Sequence, residues 1–481
     1  MPFWLVECAL AESRIERVTL RQVNLPPKVL RTDAIQSFVT QETLLLTLHC
    51  SDGIEATGYA YTIGTGGSSV LALLKDHLAP LLIGRDPVCV EAIWKDLFFH
   101  THATAVGAIT SLALACVDTA LWDWRAQSQG LPLWRLLGGA QTRVPLYTTE
   151  GGWLHLSPAE LVEQTLQAQA EGFKGAKIKI GRPHVSEDVA RLSAVRDAVG
   201  PGFELMTDAN QGFNRAEVVR RARAFEGLGL AWIEEPMPAE DVSGHRQLRE
   251  HTTIPVAVGE SMYHPMQFRE YLEQGACSIV QPDVARIGGV TPWIKTAHLA
   301  ETFDVAVCPH FLMELHVSLC AAVPNATWVE YIPQLDDITH SRMKVQDGFA
   351  IRYGASTKDG KGEIVCGLAL MLKGENSSAV VNRVKEKMDQ INKTLPEGVV
   401  AEAFIDRGKL VDSAIGTVTK NLLEGALIVI FVLILFLGNL RAGLIVASVI
   451  PLSMLFAVIL MNTFGVSGNL MSLGAIDFGI I

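Results

Sequence analysis

Residues 176–260 decide the fold. Ala176-Lys177-Ile178-Lys179, Phe203-Glu204-Leu205-Met206-Thr207-Asp208, Ala231-Trp232-Ile233-Glu234 and Pro255-Val256-Ala257-Val258-Gly259-Glu260 are short apolar, partly β-branched runs, each ending on a chargeable residue. Asp283, His310 and Glu330 continue the series, at intervals from Lys179 of 29, 26, 26, 23, 27 and 20 residues. One strand, one helix and two short loops use about that much chain. The spacing therefore predicts a (β/α)7–8 TIM-type barrel, an α/β fold whose strand ends ring one mouth, where active sites sit. All seven residues are expected to converge there.

Working outward, residues 17–23, 43–48 and 57–62 read as extended, whereas 69–82, 90–99 and 108–127 carry helix-period apolar residues. This gives an α+β amino-terminal capping domain over 1–140, ahead of a barrel over 141–350. Helix starts inside the barrel are marked by Ser157-Pro158-Ala159-Glu160 and Asn214-Arg215-Ala216-Glu217, both with capping-box spacing. A formal charge of −11 excludes a nucleic-acid footprint and favours small-molecule chemistry. The eight cysteines form no CxxC pair and read as reduced core thiols. Met1-Pro2-Phe3-Trp4 opens no basic region followed by a long apolar core, so the enzyme-like part is expected in the cytoplasm.

Asp208, Glu234 and Glu260 end three successive strands, and an oxygen-only set of this kind suits a hard cation such as Mg²⁺, one per site. Lys177 and Lys179 share a strand face, where two unpaired ammoniums would be costly unless a carboxylate cluster and an anionic substrate offset them. Asp283 and His310 sit on adjacent strands, so the carboxylate can orient the imidazole as acid or base.

These residues carry a resemblance. With Lys177-Ile178-Lys179, Asp208-Ala209-Asn210-Gln211, Trp232-Ile233-Glu234-Glu235-Pro236, Gly259-Glu260-Ser261, Gln281-Pro282-Asp283 and Pro309-His310 in this order, the chain to about residue 350 resembles the mandelate racemase subgroup of the enolase superfamily. The resemblance implies abstraction of the proton α to a carboxylate, with Mg²⁺ stabilising the enediolate. It makes Lys179 one base, Lys177 an electrostatic helper, His310 with Asp283 the opposite acid or base, and Glu330 a hydrogen-bonding electrophile. Asn210, Tyr61 and Thr62 are expected to contact the substrate, a small-molecule carboxylate, and the enzyme part is expected to be a homo-oligomer. Gly151-Gly152-Trp153-Leu154-His155 and residues 309–316 look similar to acid-sugar dehydratases of the talarate/galactarate type. Dehydration of an aldarate or aldonate is the implied reaction; a racemase, epimerase or cycloisomerase of a 2-hydroxy or sugar acid uses the same groups and stays open. Residues 61–67 are the candidate lid, their glycines alternatively forming only a turn.

Past Ala350 the character changes. Residues 352–420 read as mixed α/β, with an amphipathic helix near 379–395, and 421–481 carries only Glu424, Arg441 and Asp477 as charges. Residues 425–437 and 442–461 are uncharged, of membrane-helix character, which predicts two to three hydrophobic helices and a membrane partner for 421–481. Residues 362–376, 421–426 and 474–479 resemble an internal piece of a heavy-metal efflux pump of the resistance-nodulation-division family, and this resemblance makes Asp477 a remnant of its proton relay. The family's chain returns after the last barrel strand to complete the capping domain, and here that return is expected to stop at about Phe349. Three readings follow: an acid-sugar enzyme with an accidental hydrophobic tail, a membrane-anchored fusion carrying a transport-incompetent pump fragment, and a chimera without function as a unit.

Overall fold

A computed structural model of the chain describes residues 13–336, 338, 344–346 and 349–351, and beyond them only scattered helical positions between 383 and 463. The chain divides into two units, Met1–Gly354 and Ala355–Ile481. Of the second, positions 383–384, 386–388 and 390 are helical, inside the expected amphipathic helix. The apolar stretches 425–437 and 442–461 and Asp477 lie outside the described residues, apart from Ile445 and Phe456. Among the described residues no helix is long and apolar enough to cross a membrane.

The first unit opens with an antiparallel three-stranded meander: β1 (Ile15–Leu25), β2 (Gln41–Cys50) and β3 (Glu55–Ile63). Alternation along β2 turns Leu44, Leu46 and Leu48 inward, all fully buried. Three helices follow, α1 (Gly67–Leu73), α2 (Val90–His100) and α3 (Ala108–Gln129), then the short α4 (Leu133–Leu136). Helix α3 covers the sheet so closely that a Cβ at Gly58 would stand 2.1 Å from the Cys116 carbonyl oxygen. The expected helix at 69–82 is α1 only at its start; residues 74–82 continue it as a π turn and a 3₁₀ turn ending in the extended Ile83.

The barrel is built by β4 (Arg143–Thr148), α5 (Pro158–Ala170), β5 (Gly175–Lys179), α6 (Val185–Val199), β6 (Glu204–Asp208), α7 (Arg215–Phe225), β7 (Leu230–Glu234), α8 (Val242–Arg249), β8 (Val256–Val258), α9 (Pro265–Glu273), β9 (Ile279–Val280), α10 (Val290–Thr302), β10 (Ala306–Val307), α11 (Met313–Ala322) and β11 (Val329–Tyr331). Strands β4 to β10 pair in parallel in chain order, and β11 closes the ring on Leu146–Thr148 of β4. A bridge from Val307 to Ala326 joins the other side. Two further strands, β12 (Lys344–Gln346) and β13 (Phe349–Ile351), form a hairpin whose second member runs antiparallel to Arg143–Pro145, at the end of β4 away from the mouth.

Helix starts follow local chemistry. Ser157 and Glu160 form the full reciprocal box at α5, with Pro158 at the first position. At α7 the expected box is only half made: Asn214 accepts the Glu217 N–H, but the Glu217 carboxylate is drawn away by Arg220 and Arg221. Capping domain and barrel are joined at a buried carboxylate, since Asp118 of α3 accepts the Thr291 N–H at the start of α10, at 2.8 Å. Among the described cysteines, Cys50, Cys116, Cys277, Cys308 and Cys320 are buried free thiols and Cys89 is exposed.

Candidate active site

Strand alternation brings Lys177 and Lys179 to the interior of the mouth, and both are buried. Neither is unpaired. Lys177 Nζ donates to Glu234 Oε1 at 2.7 Å and lies 2.8 Å from Glu330 Oε1 and 3.6 Å from Asp208 Oδ2. Lys179 Nζ donates to Asp208 Oδ2 at 2.5 Å and to Asn210 Oδ1 at 3.1 Å. Burial alone would lower both ammoniums, but Glu234 and Glu330 hold Lys177 well above its ordinary value and Asp208 holds Lys179 above its own, against repulsion from Lys177.

Asp208, Glu234 and Glu260, from the ends of β6, β7 and β8, place one oxygen each within 4.8 Å of one another. Asp208 Oδ1 accepts the Asn210 N–H, and Glu234 Oε2 accepts from Gln281 Nε2 and Trp232 Nε1. Burial pushes Glu234 up to about 7 in spite of Lys177. Glu260 accepts from Arg286 on Oε1, while its buried Oε2 accepts no hydrogen bond from a described residue although His310 Nε2 lies 3.3 Å away. Glu235, at a left-handed φ of 37°, turns its carboxyl toward the same cavity, where burial first, and then Glu260 and Asp208, hold it well above its ordinary value.

Asp283 and His310, each just past the end of its strand, meet at 2.9 Å between Oδ2 and Nδ1. Burial would raise Asp283, but the contact with His310 holds it down to about 2. Burial would lower the imidazole, and Glu260 with Asp283 raise it instead. Glu330 accepts the Phe311 N–H at 2.8 Å and the Thr149 hydroxyl; against burial, Lys177 and then His310 hold it well below the usual carboxylate range.

One cavity touches Lys177, Lys179, Asn210, Glu260, His310 and Glu330. Lys179 and His310 reach it from β5 and from beyond β10, three strands apart one way around the ring and five the other. Tyr61 also lines it, but its hydroxyl is directed at Asp283. Thr62 is not among the lining residues, and its hydroxyl is drawn to Glu42 Oε2 at 2.5 Å, which also accepts the Gly67 N–H. Residues 61–67 are the end of β3, a turn with left-handed Gly64 and Gly66, and the start of α1. The capping-domain wall is made by Tyr61 and Ile63 together with the 27–41 segment, through Arg31, Asp33, Ile35, Gln36, Phe38 and Gln41. No period or motif marks that segment; Pro26-Pro27 announces only a loop. Arg31 shows what was hidden: it is buried, and its guanidinium bridges Glu150 and Gln334, partners 119 and 303 residues away.

Residues 15–138 match the mandelate racemase/muconate lactonizing enzyme amino-terminal domain, and residues 160–362 match the enolase carboxyl-terminal domain-like family. The L-talarate/galactarate dehydratase of Salmonella typhimurium is 34% identical over 341 residues, 70% of this chain and 85% of that protein. The chain belongs to the mandelate racemase/muconate lactonizing enzyme family. A crystal structure of that dehydratase, liganded with Mg and L-lyxarohydroxamate, superposes with a TM-score of 0.70 at 32% identity, over 74% of this chain and 92% of that one. The 3,6-anhydro-alpha-L-galactonate cycloisomerase of Streptomyces coelicolor is 34% identical over 318 residues, 66% of this chain and 88% of that protein. The carboxyl end matches a second family: residues 334–481 fit the AcrB/AcrD/AcrF model. The cobalt-zinc-cadmium resistance protein CzcA of Cupriavidus metallidurans is 57% identical over 137 residues, 28% of this chain but only 13% of that protein. The chain thus joins segments of two families.

Proposed function

We propose that the first unit is a Mg²⁺-dependent lyase that removes the proton α to the carboxylate of an acid sugar and expels the β-hydroxyl. The observation that carries this is the convergence, on one cavity, of a three-carboxylate cluster with an ammonium and a carboxylate-paired imidazole from different sides.

The residues present fit the ion. Their donors are oxygen only, all three carboxylates are buried, and Glu260 Oε2 is left without a hydrogen bond among the described residues. Asp208, Glu234 and Glu260 are the proposed ligands. When bound, Mg²⁺ would supply a Lewis acid for the substrate carboxylate. Lys179 serves as the base at the α-carbon, with the like charge of Lys177 favouring its neutral form. Lys177, with Glu330 hydrogen-bonded beside it, faces the charge that develops on the substrate carboxylate. His310, oriented through Nδ1 by Asp283, presents Nε2 to the cavity and protonates the departing hydroxide. Asn210 and Tyr61 border the substrate's position. Epimerisation would use Lys179 and His310 alternately at one carbon, and the similarity to a cycloisomerase keeps that second reading in view.

The proposed division is 1–140 capping domain, 141–350 barrel, 352–420 pump-like porter fragment and 421–481 membrane-associating segment, the last supported by its two uncharged apolar runs. The catalytic reading is tested by incubating the full-length protein with a panel of aldonates and aldarates and assaying 2-keto acid product. Product formation abolished in His310→Asn supports it. A His310→Asn rate within about threefold of the parent, a loss of under 1 kcal/mol, refutes the role.

A further inference from the structure

The capping domain does more than wall the cavity. Tyr61, on β3, is 2% exposed, and its hydroxyl donates to Asp283 Oδ2 at 2.6 Å. This is the oxygen that faces His310 Nδ1 at 2.9 Å, and the same hydroxyl lies 3.4 Å from that nitrogen. The other oxygen, Oδ1, is taken by the backbone N–H groups of Ala285 and Arg286, at 2.8 and 3.3 Å. Asp283 thus has one oxygen left for its histidine, and Tyr61 fixes where that oxygen points. The phenol ring is held in turn: Phe311 meets it edge-on with centroids 4.8 Å apart, and the Arg286 guanidinium lies 5.8 Å from its centroid.

We propose that Tyr61 is a positioning residue of the Asp283–His310 pair, supplied across the domain boundary, so that proton transfer on the His310 side requires the capping sheet to be in place. A phenol is a donor at neutral pH, and its bond to an ionised carboxylate is of the strong, charge-assisted kind. With Oδ2 fixed, the His310 Nδ1–H has one acceptor in one place, which sets the ring plane and the tautomer and aims Nε2 into the cavity. Without the hydroxyl, Oδ2 is left with His310 Nδ1 at 2.9 Å and the Arg286 Nε at 4.0 Å, and the carboxylate gains freedom to rotate about the two backbone bonds on Oδ1. Lys179, whose partners are Asp208 and Asn210, is untouched by this change.

The kinetic part of this inference rests on the proposed lyase reading; the structural part does not. Tyr61→Phe keeps the ring and its contact with Phe311. In the full-length protein the variant is expected to lower kcat about tenfold, the size of one lost charge-assisted hydrogen bond, while KM stays within about twofold. Exchange of a substrate α-proton presented to Lys179, followed in D₂O, is expected to stay within about twofold of the parent. In an Asp283→Asn background, Tyr61→Phe should cost nothing further. Independently of turnover, the downfield His310 Nδ1 proton in a ¹⁵N-histidine-labelled sample should shift on Tyr61→Phe. An unchanged kcat, an equal fall on both faces, a collapsed melting midpoint or an unmoved Nδ1 proton overturns the proposal. A parent inactive on every acid sugar, with the Nδ1 proton still responding to Tyr61→Phe, sinks the lyase reading and leaves the positioning role standing.

Discussion

Lys177 is the cation around which the carboxylates of the mouth are arranged, and Lys177→Met removes its charge at nearly constant volume. The Lys177 side chain is 1% exposed, and Nζ sits 2.7 Å from Glu234, 2.8 Å from Glu330 and 3.6 Å from Asp208. Two charge-assisted contacts at about 1.5–3 kcal/mol each bracket the loss, and breaking a buried pair costs about 3–5 kcal/mol. The carboxylates keep other donors: Gln281 and Trp232 on Glu234, Phe311 and Thr149 on Glu330. The expected cost is therefore near the lower end, about 3 kcal/mol in the metal-free protein. It depends on pH with a definite sign. Glu234, already pushed up to about 7, rises further once Lys177 is gone, so the folded state binds a proton that the unfolded state, near its ordinary value of 4.5, has released. Stability of the variant then falls as pH rises from about 4.5 through 7 and above. Chemical unfolding in chelator at pH 6 and pH 9 reads both effects, and added Mg²⁺ should recover part of the loss by returning cationic charge to Asp208 and Glu234. A loss under about 1 kcal/mol at pH 9, or one that shrinks as pH rises, would show that the carboxylates do not depend on Lys177.

Asp118 is pushed up to about 7 by burial, although Thr291 hydrogen bonds favour its charge, so between about 4 and 7 its contribution to stability falls as pH rises; Asp118→Asn should flatten that slope in a pH series of melting midpoints. Gly58→Ala places a Cβ 2.1 Å from the Cys116 carbonyl and should destabilise the capping domain by about 1–3 kcal/mol, read as early loss of its proton-exchange protection while the barrel strands stay protected. The full chain should sediment with membranes or aggregates, and deleting residues 421–481 should move protein to the supernatant, because 425–437 and 442–461 carry no charge; equal partitioning of both forms would count against a membrane role.

What was legible in the sequence was whatever repeats or ends an element. The barrel followed from the beat of Lys179, Asp208, Glu234, Glu260, Asp283, His310 and Glu330, since each strand must end at the same rim. The pairing of Asp283 with His310 followed because neighbours in chain order are neighbours in the ring. Hidden were contacts that no period encodes. Residues 27–40 hold no regular element to announce them, and Arg31 finds Glu150 and Gln334 only after the barrel closes. Thr62 is expected to contact substrate as part of the candidate lid over 61–67, yet alternation along β3 gives it the opposite direction to Tyr61, and Glu42 on the paired strand takes the Thr62 hydroxyl. The Asn214 box failed in its second half because Arg220 and Arg221, one turn along, compete for Glu217.

The most direct test is the turnover of an acid sugar by the intact, metal-stripped chain as Mg²⁺ is returned. The expected result is no 2-keto product in chelator, saturable recovery with one ion per chain, and loss of that recovery in Glu260→Gln, whose carboxylate is one of the three that meet within 4.8 Å. Full turnover in chelator, or a Mg²⁺ response unchanged in Glu260→Gln, would contradict it.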